Sequence, residues 1–109
     1  MATKFFEAPS RFESSIIDAN PVSLREVSGF NDGVATVYFQ LFDTTVLPTT
    51  GVTLPNHQAR VPPGATFRGD FRQMNRNFPV GLVCAFSTTP DVFTAGAGAI
   101  GYVEAVYEG

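Results

Sequence analysis

The sequence predicts an all-β protein, a single β-sandwich of jelly-roll or Greek-key type with about six to eight short strands. Three observations carry that expectation. Apolar residues recur with period two in several short segments, as they must where successive strand side chains point to opposite faces. Turn chemistry separates those segments at near-regular intervals. Eight prolines and ten glycines in 109 residues leave little uninterrupted room for a long helix.

Taken in order, residues 1–20 carry Phe5, Phe6, Phe12, Ile16 and Ile17 among charges, with weak periodicity. They read either as an N-terminal arm that docks its aromatics elsewhere or, over residues 14–19, as a first strand. Residues 21–109 make the sandwich domain. A weaker strand over residues 22–27 leads to Asn31-Asp32-Gly33, whose positive-φ chemistry suits a turn between two antiparallel strands. The clearest alternation follows in "ATVYFQLF", with Ala35, Val37, Phe39 and Leu41 on one face and Thr36, Tyr38, Gln40 and Phe42 on the other. This is the expected central strand.

Residues 43–57, "DTTVLPTTGVTLPNH", form a long connection rich in Thr and Pro. Loops beyond about 12 residues without structure of their own are commonly functional, so this one is a candidate contact surface. Two weaker strands, over residues 58–61 and 66–72, flank Val61-Pro62-Pro63-Gly64, a turn with Pro63 and Gly64 at its corner. A one-turn helix is expected around residues 72–77. In "PVGLVCAFS" Val80, Leu82, Cys84 and Phe86 oppose Gly81, Val83 and Ala85, so both faces are apolar, as for a strand inside a sandwich. The last strand is "GYVEAVYE", with Tyr102, Glu104 and Val106 against Val103, Ala105 and Tyr107.

Composition bounds the function. A chain this long buries about 65% of its unfolded surface, enough for one modest core. Hydrophobic residues make up 44%, eleven of them Phe, while charged residues reach only 16%, against roughly 25% in typical soluble domains. So much aromatic area with so few charges implies that some of it meets another chain. The net charge of -3 argues against nucleic-acid binding, which needs a basic surface. The lone Cys84 forms no internal disulfide. With no signal-peptide pattern and no apolar run near 18 residues, the chain is expected to be neither classically secreted nor membrane-spanning.

No motif nominates catalysis, a cofactor or a metal. "GAGAIG", residues 96–101, matches the glycine spacing of a dinucleotide fingerprint, but that fingerprint opens a helix, and here eight strand-like residues remain. It reads as a flexible entry into the last strand. His57 and Cys84 are the only residues of their kinds, too few for a zinc cluster. Cys84 lies in the most apolar strand, where a thiol is an inert hydrophobe, and His57 falls in a loop facing solvent or a contact. The ten carboxylates, Glu104 and Glu108 included, read as solvated surface groups, and an enzyme is not expected.

Charge is unevenly spread. Residues 44–90 hold Arg60, Arg68, Arg72 and Arg76 against the single carboxylate of Asp70, while the flanking segments are acidic. This suits pairing between copies or with a partner, and the Arg fork favours carboxylate recognition at interfaces. Within it, "TFRGDF" contains Arg-Gly-Asp, the tripeptide read by adhesion receptors. Alternation places Phe67, Gly69 and Phe71 on one strand face and Arg68, Asp70 and Arg72 on the other, with Asp70 between two arginines. The triplet therefore reads as the polar face of a strand leading into a protein contact.

"VYFQLFD", a Pro- and Gly-bearing loop, "VPPGATF", "FPVGLVCAFSTTPDVFT" and a closing aromatic strand together resemble small β-sandwich virion proteins of tailed bacteriophages, over residues 35–107. The resemblance implies a structural virion protein, a capsid decoration or cement protein that assembles as a homotrimer, binds the major capsid protein or another virion protein, and sits on the capsid exterior after synthesis in the host cytoplasm. It implies no catalytic residue, cofactor or metal, and neither nucleic acid nor membrane as partner. The residues expected at partner contacts are Phe5, Phe6, Phe12, Arg68, Arg72 and Arg76. A tail or fibre-base component is the alternative in the same setting. A carbohydrate-binding or adhesion module is the alternative of another class, although the chain has no Trp for a sugar platform.

Overall fold

The computed structural model describes residues 3–8, 10–70 and 76–109. Nine strands run through them: β1 (Thr3–Glu7), β2 (Ser14–Asp18), β3 (Val22–Asn31), β4 (Val37–Phe42), β5 (His57–Val61), β6 (Thr66–Asp70), β7 (Arg76–Phe78), β8 (Leu82–Ser87) and β9 (Gly101–Glu108). Every pairing is antiparallel. Sheet A has the order β1-β9-β3-β6, with β7 continuing the line of β6 along β3, and sheet B has the order β2-β8-β4-β5. Among the described residues no helix is long and apolar enough to cross a membrane.

The two orders are one pattern. β4 and β5 form a hairpin, and β3 with β6, β2 with β8, and β1 with β9 nest around it as successive antiparallel pairs. Rolling this long ribbon puts alternate pairs in opposite sheets, which is the double-sheet jelly roll. The turns then acquire a different role from the one the sequence predicts. β3 and β4 lie in different sheets, and Gly33 is not among the glycines with positive φ, so Asn31-Asp32-Gly33 is an inter-sheet corner and not a hairpin turn. Asn31 holds that corner from a fully buried position: its Nδ2 donates to Ala35 O (2.9 Å) and Val61 O (3.0 Å), and its Oδ1 accepts from Gly33 N (2.9 Å). Val61-Pro62-Pro63-Gly64 does turn as expected. Ala65 N donates to Pro62 O at 3.1 Å, and Gly64 takes φ 73°, the conformation that the third residue of a type II turn requires.

The core lies between the sheets. β4 contributes Val37, Phe39 and Leu41, β8 contributes Leu82, Cys84 and Phe86, and β9 contributes Val103, Ala105 and Tyr107. Parity fails in β3, where a register shift between Leu24 and Glu26 lets both Leu24 and Val27 face inward, while in β2 Ile17 faces inward by plain alternation after the outward Ile16. Phe86 sits centrally, its ring 5.6 Å from Phe12, 5.4 Å from Phe39 and 6.0 Å from Phe67. Burying side chains of this size contributes roughly 1.5–3 kcal/mol each. In the ion pairs Lys4–Asp18, Arg11–Asp32, Arg25–Glu108 and Arg68–Glu26 the cation keeps much of its side chain in water, and pairs exposed in this way contribute about 0–1 kcal/mol. Packing dominates.

Both faces of β8 are buried, but only one of them by the opposite sheet. The other, Val83 and Ala85, forms a second small cluster with Phe42 and Phe93. The segment 88–95 brings Phe93 across the outer face of sheet B and is fastened there by polar contacts. Ser87 Oγ accepts from Thr94 N (2.9 Å), and Gln58 and Asp91 exchange two hydrogen bonds of 2.8 and 2.9 Å. The glycine-rich segment that follows is also held, contrary to the flexibility expected of it. Gly96 N and Gly98 N both donate to Glu13 Oε2 at 2.9 Å before the chain enters β9.

Candidate functional site

The structure divides the six residues expected at contacts. Phe5, at 76% exposure, points outward from β1, the edge strand of sheet A. Phe6 alternates inward and packs against the main core. Phe12 does the same from the β1–β2 connection, where it pairs with Gly101 through two backbone hydrogen bonds. Arg68 and Arg76 lie on the opposite edge of sheet A, on β6 and β7. Arg68 Nη2 donates to Glu26 Oε1 at 2.7 Å. Arg72 lies outside the described residues, as does most of the segment expected to be a one-turn helix; Arg76 and Asn77 at its end belong to β7. The expected pairing of Asp70 with Arg68 and Arg72 also falls outside them. Arg-Gly-Asp itself is within β6.

A groove of about 240 Å³ opens between β5 and β6, the adjacent edges of the two sheets. Val27, Phe39, Leu41, Ala59, Phe67 and Gly69 line it together with the polar side chains of Gln58 and Arg68. His57 belongs to this wall as the first residue of β5, a correction to the loop expected there. Its ring is edge-on to Phe78 at 6.2 Å. Burial, and then the nearby charge of Arg76, hold the imidazole below its ordinary value, which favours its neutral form, so the charge on this wall is that of Arg68. Burial pushes the Cys84 thiol up, which keeps it protonated and non-nucleophilic. Among the described residues no three His, Cys, Asp or Glu side chains are grouped to hold a metal ion.

The apolar side chains that remain outside are concentrated. Val46, Leu47, Val52 and Leu54 are all about half exposed or more on the β4–β5 loop, with Val80 on the β7–β8 connection. Residues 44–56 carry no charge. The loop is nevertheless well tied. Gly51 N donates to Phe93 O (2.8 Å), Phe93 N donates to Thr53 O (2.9 Å), and Asn56 joins it to β4 through Leu41 O (2.8 Å). An ordered loop that holds aliphatic side chains in water has the character of a contact surface. Sequence nominated the loop by its length; its charge-free aliphatics were the better signal. Nothing in the sequence pattern marks Val34 or Tyr102 as a contact residue. Val34 is 99% exposed at the β3–β4 corner, and Tyr102 faces out beneath the guanidinium of Arg11 at 5.6 Å.

No protein-family model matches the chain, and no curated protein matches it by sequence. Among solved structures it is similar to the coat protein of Tobacco streak virus, with a TM-score of 0.51 and 11% identity over 99% of this chain and 85% of that one. At that identity the likeness is one of fold. It extends across both sheets and transfers no individual residue.

Proposed function

We propose that this chain is a structural protein of a virus particle, working through non-covalent interfaces with copies of itself and with other virion proteins. The observation that carries the reading is the jelly roll shared with a viral coat protein over 99% of the chain. The surface supports it: Phe5 and the aliphatics of the tied β4–β5 loop stay outside the core, where a partner can cover them. No catalytic role is proposed. The sole thiol is sealed in the core, and the sole imidazole lines the β5–β6 groove beside apolar side chains, Gln58 and Arg68.

The finer form of the proposal follows the resemblance to small phage virion proteins. In it the chain is a decoration protein on the capsid exterior, made in the host cytoplasm, that adds cohesion at symmetric junctions of the shell. A second reading, that the chain itself builds a coat, is favoured by its match to 85% of the coat protein's length. Electron microscopy of the purified chain, alone and mixed with preformed shells, separates the two. Small oligomers that decorate shells support the first, and closed particles formed by the chain alone support the second. A chain that neither assembles nor binds shells overturns both.

A further inference from the structure

The outer face of sheet A carries charges in a row. Glu7 on β1 lies opposite Glu104 on β9, Glu104 opposite Ser28 on β3, and Ser28 opposite Arg68 on β6. The row starts at one edge of the sheet with two adjacent carboxylates and ends at the other edge with a guanidinium. Like charges directly opposite on paired strands are destabilising, and no ion pair joins Glu7 or Glu104 to any described residue.

The edge at β1 is open to another strand. Ala8 N donates to Val103 O, so by the alternation of an antiparallel ladder Lys4 and Phe6 bond β9, while the backbone groups of Thr3, Phe5 and Glu7 point away. Edge strands are commonly protected by a proline or a bulge. β1 has neither, its register is unbroken, and it presents Phe5 outward. Directions also match. β1 is antiparallel to β9, β9 to β3 and β3 to β6, so β1 and β6 run oppositely.

We propose that β1 of one copy adds to the β6 edge of a second copy as an antiparallel strand, with Glu7 paired to the partner subunit's Arg68. A rotation about an axis parallel to the strands brings β1 beside β6 without changing level, and Glu7 and Arg68 already share one row. Arg68 keeps its bond to Glu26, because a guanidinium has five N–H donors and can serve two carboxylates. The junction also covers Phe5. Such a contact is head-to-tail, and its repetition closes a ring or extends a filament.

This inference rests on self-assembly, and its test separates the two claims. Sedimentation velocity of the full chain is compared with Glu7→Arg and Arg68→Glu, each checked for native fold by circular dichroism. The wild type sediments as an assembly, and each single variant shifts to monomer. Mixing the two variants restores association, because each junction between unlike copies then pairs Arg with Glu, in pairs, even-membered rings or filaments. A merely local effect of either substitution would not be rescued by mixing. If the wild type assembles and Glu7→Arg assembles equally well, or if mixing fails to restore association, this junction is overturned while self-assembly stands. A wild type that stays monomeric up to its solubility limit overturns both, and association only with an unrelated protein at this edge overturns the choice of a second copy.

Discussion

Phe39 of sheet B and Phe67 of sheet A lie ring on ring, 4.3 Å between centroids and 29° apart, at the mouth of the β5–β6 groove. With Phe86, 6.0 Å from Phe67, they join β6 of sheet A to β4 and β8 of sheet B. Phe67→Ala should enlarge the groove and destabilise the fold by about 2–3 kcal/mol, below the full core cost because Phe67 is only partly buried. Phe67→Leu should cost about half as much. Urea denaturation checks this, with a lowered midpoint and an unchanged slope expected.

Gly101 begins β9 against the face of Phe86. A Cβ at Gly101 would stand 1.9 Å from Phe86 Cε2, far inside van der Waals contact, so the strand requires glycine there. Gly101→Ala should destabilise by roughly 1–3 kcal/mol through overpacking. Phe86→Leu leaves a void in the same place, and the double variant should be less destabilised than the sum of the two. A double-mutant cycle measured by thermal or urea unfolding gives the coupling. Strict additivity would mean that the ring moves aside without cost.

The contrast between β9 and β3 shows what was legible. β9 runs over the residues that alternation marks, because its register with β3 and β1 leaves its parity intact from Gly101 to Glu108. In β3 the shift after Leu24 reverses parity, so the pattern fades midway and the strand reads as shorter than Val22–Asn31. β1 escaped because two adjacent aromatics, Phe5 and Phe6, point to opposite faces, and β7 because three residues carry no period. Which sheet a strand joins is written in corners such as Asn31, whose partners Ala35 and Val61 come from elsewhere in the chain. The candidate site divides similarly. Arg68 faces out as its alternation requires, but that Glu7, Glu104 and Arg68 share a row emerges only from three strand registers.

Asn31 is the polar group on which the inter-sheet corner depends. Its amide satisfies two carbonyls and one amide in a fully buried position, so Asn31→Ala should leave those groups unpaired and cost about 2–3 kcal/mol. Asn31→Asp is the sharper probe. It keeps the acceptor for Gly33 N but turns a second oxygen toward the carbonyls of Ala35 and Val61, where a proton is needed. Its deficit should shrink as pH falls and the carboxyl protonates. Equal deficits at pH values on either side of the ordinary carboxylate range would show that the amide does not act through these bonds.

His57 should give the fold a measurable acid sensitivity. Burial, reinforced by the charge of Arg76, holds its folded-state value below the ordinary 6.5. The unfolded chain therefore takes up a proton at His57 before the folded chain does. Stability is fully present above the unfolded value, falls as pH drops below it, and levels off once the folded imidazole is also protonated. His57→Gln removes the titration while keeping a polar group at the start of β5. Stability measured from pH 8 to pH 5 by urea unfolding should fall more steeply for the wild type than for His57→Gln. Arg76→Gln should lessen the slope only in part, since burial is the larger cause. Parallel curves for wild type and His57→Gln would mean that the imidazole is as well solvated in the folded chain as in the unfolded one.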